Sequence, residues 1–214
     1  MNYTKIDLDN WARGRVFRHF MDDLRCVMSM TVDVDVTPLL AFVRAEKLKF
    51  YPAMMWAVGR VLNAHAEFKY SLDAEGALIQ WDFISPYYAD FHPDSEEFVK
   101  LTTEYAADLS VFLARFLADR ERFQVLRAFD QRDIPPNTFD VSCLPWVRYK
   151  SFDLHIFDSG TYLAPVVTWG KYESVDRRAV LPLSLNIHHA VADGYHLSRF
   201  FLELQALIDG LAES

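Results

Sequence analysis

Two adjacent histidines, His188 and His189, stand just ahead of the pair Asp193-Gly194, and this spacing is the part of the chain best suited to chemistry. An imidazole titrates near pH ~6.5, so it can take a proton from a hydroxyl at neutral pH. In LPLSLNIHH the residues Leu181, Leu183, Leu185 and Ile187 share one face of a strand, with His189 continuing their parity and His188 falling with Ser184 and Asn186. His189 leaves the apolar face at the C-terminal end of the strand, where a side chain is held firmly yet reaches a cleft. The same residues also fit a plainer arrangement, two satisfied core histidines with Asp193 capping the helix that follows. His188, His189, Asp193 and His196 could supply metal ligands, but adjacent histidines on a strand point to opposite faces. No CxxC or HExxH spacing accompanies them, so no metal is predicted.

The elements that must position these side chains are legible as periodicities. Val16, Phe17, Phe20, Met21 and Leu24 recur at helical spacing, predicting an amphipathic helix over 9–24 capped by Asp9 or Asn10. Period-two alternation from Met28 to Val36 predicts a strand, and Thr37-Pro38 an N-cap and first-turn proline of a helix. A longer helix is predicted from Tyr51-Pro52 to about His65. DAEG at 73–76 turns a hairpin over 69–82, and more strand follows near 85–91. The acidic stretch from His92 leads to a helix at about 106–127, and DQRDIPPNT at 130–138 is a polar loop. Strand-like runs at 140–157, 161–172 and 179–189 precede a helix from about Gly194 to Leu211. The fold class is therefore α/β, a two-layer sandwich with a large mixed sheet covered by helices.

Composition bounds the partners. At 214 residues and 51% apolar, the chain is expected to form one domain over 1–214. Against 30 Asp and Glu it has 22 Lys and Arg, a net charge of −8, so no basic face suits a nucleic acid backbone. The first residues, MNYTKIDLDN, contain no apolar signal segment, and no uncharged run is long and apolar enough to span a bilayer. Cys26 and Cys143 lie far apart in apolar stretches and are expected to be reduced thiols, which fits a cytoplasmic location. Seven glycines and no GxGxxG or P-loop leave a nucleotide-binding Rossmann or hydrolase fold without support.

The run HHAVADG at 188–194 resembles the HHxxxDG signature of coenzyme A-dependent acyltransferases, and of the trimeric, type A chloramphenicol acetyltransferases in particular. MNYTKIDLDNWAR, KFYPAMMWAV at 49–58, NAHAEF at 63–68, LPW at 144–146, SFDL at 151–154, YLAP at 162–165 and GKY at 170–172 resemble the same family in order and spacing. The resemblance covers nearly the whole chain and is loosest between about Val99 and Phe129.

It implies acetyl-CoA as cosubstrate and chloramphenicol as acceptor, with direct O-acetylation of the primary hydroxyl conferring resistance. His189 would be the general base, Ser142 the oxyanion donor, and Thr168 a residue holding acceptor or intermediate through water. Asp193 and Arg13 would form the ion pair that supports the histidine segment. Phe20, Cys26, Phe98, Phe129, Phe152 and Leu154 match acceptor-pocket positions, and Lys49, Tyr51, Trp146, Lys171 and Tyr172 match positions near coenzyme A. The resemblance further implies a homotrimer with each active site at a subunit interface. Two residues depart from the pattern: Ala192 stands where cysteine is usual, and Trp169 where methionine is common, with an expected effect on the acceptor pocket.

Two other functions fit the same residues. One is acetyl transfer to a different hydroxylated small molecule, and the other a non-catalytic protein that binds apolar ligands. The core of a dehydrogenase-complex acyltransferase would add a lipoyl domain and flexible linkers that these residues do not contain.

Overall fold

Alternating residues of the long C-terminal strand meet two different environments, and the whole architecture follows from that division. The computed structural model describes residues 2–123, 134–156 and 158–211. In chain order the elements are β1 (Tyr3–Lys5), α1 (Gly14–Arg18), β2 (Val27–Asp35), α2 (Thr37–Ala45), α3 (Phe50–Ala64), β3 (Tyr70–Leu72), β4 (Leu78–Trp81), β5 (Ser85–His92), β6 (Glu97–Thr102), α4 (Leu109–Phe123), β7 (Thr138–Leu144), β8 (Val166–Gly170), β9 (Glu173–Val175), β10 (Arg178–His188) and α5 (Gly194–Gly210).

A large mixed sheet runs in the order β2-β10-β8-β7-β5-β6, with β9 paired to β10, and a small sheet runs β1-β4-β3. The β8–β7 and β7–β5 pairs are parallel and the others antiparallel. Leu181, Leu183, Leu185 and Ile187 are fully buried under the helices, joined by Val167, Trp169, Val141 and Tyr88 from neighbouring strands. Each such side chain contributes about 1.5–3 kcal/mol of burial. Leu197, Phe200, Phe201, Leu204 and Ile208 form the buried stripe of α5. The predicted two-layer sandwich is thus the observed one.

The opposite face of the sheet is polar. Ser142, Thr168, Ser184 and Thr31 align across β7, β8, β10 and β2. The irregular segment after β7 crosses this face. Asn186 Nδ2 donates to the Leu154 carbonyl, and the Tyr149 hydroxyl to that of Thr168.

Four expectations are corrected. The first helix begins at Gly14, not near Asp9. Asp7 accepts from the Asp9 backbone N–H and the Asn10 side chain, folding 7–13 into turns, and past Arg18 the helix widens into a π turn over His19–Asp23. Strand β6, absent from the sequence reading, pairs with β5 through a tight turn in which Glu96 takes a left-handed φ of 56°. The run expected as strand over 140–157 keeps its ladder only from 138 to 144, and that over 161–172 only from 166 to 170. Thr37 does not cap its own helix; its hydroxyl accepts from the Ala179 backbone N–H. Of the polar loop at 130–138 only the residues from 134 onward are described, and 124–127 of the expected helix lie outside the described residues.

Candidate active site

β10 ends at His188, one residue earlier than expected, so His189 opens the turn into α5 instead of closing the strand. Its backbone N–H donates to the Cys26 carbonyl, which ties this turn to the chain entering β2. Its ring Nδ1 lies 2.9 Å from the Ala192 carbonyl oxygen. A carbonyl can only accept, so Nδ1 carries the proton and the lone pair of the neutral ring sits on Nε2. Phe20, carried by the π turn, stacks on the imidazole with ring centroids 4.0 Å apart.

Arg13 holds the turn from behind. Its guanidinium donates to the carbonyls of Ala190, His189 and Ala192 and forms a 3.0 Å ion pair with Asp193 Oδ2. The Asp193 carboxylate caps α5 by accepting from the Tyr195 backbone N–H, and the Asp193 backbone N–H donates to His196 Nδ1. Burial pushes the Asp193 carboxyl up, but the hydrogen bond from Arg13 and the charges of His196 and Arg13 outweigh it and hold the group below its ordinary value. His188 turns onto the polar face, its Nδ1 accepting from the Ala190 N–H, and desolvation lowers its pKa.

The remaining predicted residues lie in other places. Tyr51, Phe98, Ser142, Trp146, Lys171 and Tyr172 line one cleft, a cavity of about 670 Å³. Aromatic edges frame it: Tyr172 against Phe50 at 5.6 Å and Trp146 against Phe91 at 5.1 Å. Lys49 is exposed at the start of α3, directly before the cleft residues Phe50 and Tyr51. Thr168 is buried beside Ser142 on the same face. Leu154 lines a small cavity next to His188, and the Phe152 ring packs near Tyr149. Phe129 lies outside the described residues. Trp169 faces the helices, with its ring 5.7 Å from that of Tyr51, and therefore lies on the other side of β8 from Thr168.

One chain thus separates the predicted machinery into two groups. Thr168 pairs with Ser184, five residues before His189 on β10, which at ~3.3 Å per residue places the histidine roughly 15 Å away along the sheet. Ser142 stands one strand further from β10. His189 keeps company with Phe20, Cys26, Arg13 and Asp193, whereas Ser142 lines the cleft and Thr168 is buried beside Ser142 on the neighbouring strand. Sequence reasoning missed Lys100, Asp140 and Tyr162, which crowd the polar face next to Ser142; the shared parity of Asp140 and Ser142 was the available signal.

This fold is that of the coenzyme A-dependent acyltransferases. A solved structure described as chloramphenicol acetyltransferase matches with a TM-score of 0.82 at 22% identity, over 97% of this chain and 100% of that one. The chain belongs to the chloramphenicol acetyltransferase family, whose model matches residues 1–205. It is 40% identical to a chloramphenicol acetyltransferase of Clostridium perfringens over 97% of this chain and 95% of that protein. A chloramphenicol acetyltransferase of Streptomyces acrimycini is 42% identical over 95% of this chain and 93% of its own.

Proposed function

We propose that this chain transfers the acetyl group of acetyl-CoA to the primary hydroxyl of chloramphenicol, and thereby confers resistance to the drug. The observation that carries the mechanism is the bond from His189 Nδ1 to the Ala192 carbonyl, which leaves Nε2 as an oriented base. Nε2 takes the hydroxyl proton as that oxygen attacks the thioester carbonyl. The Ser142 hydroxyl donates to the resulting oxyanion, with Thr168 beside it. Collapse expels the coenzyme A thiolate, which recovers the proton from the imidazolium. No acyl-enzyme forms. Consistent with this, burial pushes the Cys143 thiol up to about 12, and Cys26 is also raised by burial, so neither is an activated nucleophile.

The aromatic cleft suits the adenosine end of coenzyme A, with Lys49 and Lys171 to meet its 3′-phosphate and Tyr51, Trp146 and Tyr172 to pack against it. Phe20, Cys26, Phe98, Phe129, Phe152 and Leu154 form the acceptor pocket. The separation of His189 from Ser142 within one chain supports a homotrimer in which the base of one copy faces the cleft of the next. The protein acts as one domain in the cytoplasm; among the described residues no helix is long and apolar enough to cross a membrane.

Release of free coenzyme A from acetyl-CoA, measured with and without chloramphenicol for wild type and His189→Ala, tests this reading. Chloramphenicol-dependent release that the substitution abolishes is expected. Release that survives in His189→Ala overturns the base, and none from folded wild type overturns the acceptor.

A further inference from the structure

The polar face of the sheet carries a group of incompletely bonded side chains beside Ser142. Thr102, Tyr87 and Asp140 form one row across β6, β5 and β7, and Lys100 and Ser142 lie one alternation further along on the same face. The Tyr162 hydroxyl donates to Asp140 Oδ2. Lys100 Nζ stands 4.0 Å from Asp140 Oδ1, beyond hydrogen-bond range, and 4.5 Å over the Tyr87 ring. Among the described residues the Tyr87 hydroxyl and Thr102 Oγ1 are buried without a hydrogen-bond partner. The Lys100 and Asp140 side chains are only 22% and 16% exposed, so water meets little of this demand.

We propose that the gap between Lys100 and Asp140 recognises a second hydroxyl on the acceptor alcohol, which accepts from Lys100 Nζ and donates to Asp140 Oδ1. A hydroxyl does both at one atom. A carbonyl leaves the carboxylate oxygen unmet, an ammonium leaves Lys100 unmet, and an apolar group leaves both. Asp140 and Ser142 are two residues apart on one face, about 7 Å, so the recognised hydroxyl is a few bonds from the one that is acetylated. The favoured substrate class is a small diol. Desolvation raises the Asp140 carboxyl and lowers the Lys100 ammonium, as it does for charges held for a polar ligand. This inference rests on the proposed acetyl transfer and adds what its acceptor site selects.

The test compares chloramphenicol, a 1,3-diol, with its analogue lacking the secondary hydroxyl, in wild type, Lys100→Met and the double variant Lys100→Met, Asp140→Leu. An apolar pair in place of a buried ion pair is generally tolerated by the fold. In wild type the diol is expected to have a KM about ten-fold below that of the analogue. Both variants should erase the difference by raising the KM for the diol, with kcat and the KM for acetyl-CoA within about two-fold of wild type. Equal KM values in wild type, or variants that slow both acceptors alike, overturn the proposal. Calorimetric binding of the two compounds to wild type keeps it separate from the reaction itself. If neither is acetylated, the assignment of the reaction falls, and diol binding about ten-fold tighter still supports the gap while equal binding overturns it.

Discussion

Phe20 lies face to face on His189, the ring centroids 4.0 Å apart and the planes inclined by only 17°. With the bond to the Ala192 carbonyl fixing rotation in the ring plane, the stack fixes the plane itself, so Nε2 has one direction in which to work. Phe20→Ala removes the second constraint together with one wall of the proposed acceptor pocket, so kcat is read at saturating acceptor. Its kcat should fall about ten- to hundred-fold with little change in the KM for acetyl-CoA, because misplacing a base weakens the transition state more than ground-state binding. Steady-state kinetics at saturating acetyl-CoA reads this, and an unchanged kcat would remove Phe20 from the positioning of the base.

Arg13 reaches the His189 turn with four hydrogen bonds, three of them to backbone carbonyls and one to Asp193. The ion pair with Asp193 is only partly buried, at 17% and 37% side-chain exposure, so the expected stability loss for Arg13→Met is about 1–3 kcal/mol. Turnover should fall further than stability, since the freed carbonyls include that of Ala192, which bonds Nδ1 of His189, the proposed base. A melting curve and kcat measured on the same preparation separate the two effects.

The histidine, the strand beneath it and the last helix were all legible in the sequence, because period-two and period-3.6 patterns are strong where one face is buried. Strand β6 was not: Glu97 and Phe98 at its start are exposed, and the turn before it depends on a left-handed Glu96 that no composition signal marks. The helix start was misplaced because Asp7 takes side-chain and backbone hydrogen bonds that make turns of residues with helical spacing. Ser142 and Thr168 came from the family resemblance alone; their strand positions say only that they face away from the helices. Lys100 and Asp140 escaped notice because their meeting depends on strand order, which periodicity does not encode.

Asp193 gives the catalytic turn an acid-side pH dependence. Its folded pKa is below the unfolded value of ~3.9, so its stabilisation is fully present above that value and is lost as pH falls through the folded pKa. The melting temperature of wild type should therefore drop more steeply below about pH 4 than that of Asp193→Asn, which should be lower at neutral pH and flatter in acid. Parallel melting profiles in the two proteins from pH 6 to 3 would contradict this.

Gly14 is the hinge between the turns at 7–13 and the first helix. A Cβ built there would stand 1.9 Å from the Leu8 carbonyl oxygen, a backbone atom that cannot rotate away. Gly14→Ala must shift the start of the helix, which Arg13 directly precedes and whose π-turn continuation carries Phe20, at an expected cost of about 1–3 kcal/mol. Because both residues position His189, the variant should lose turnover even below its melting temperature. Gly210→Ala, where nothing among the described residues lies within 4 Å of the added methyl, should be neutral by comparison.

The proposed division of the site between two copies makes the most discriminating prediction. His189→Ala and Ser142→Ala should each be nearly inactive alone. If the base of one chain serves the cleft of its neighbour, random co-assembly in equal amounts places an intact histidine against an intact serine in about one site in four. Co-refolding the two inactive variants should then restore about a quarter of wild-type turnover. If both groups served the same chain, every site would keep one lesion, and the mixture would be no more active than its parents. Activity restored on co-refolding but not on mixing pre-assembled variants would show that exchange of subunits, and not a minor active fraction, is responsible.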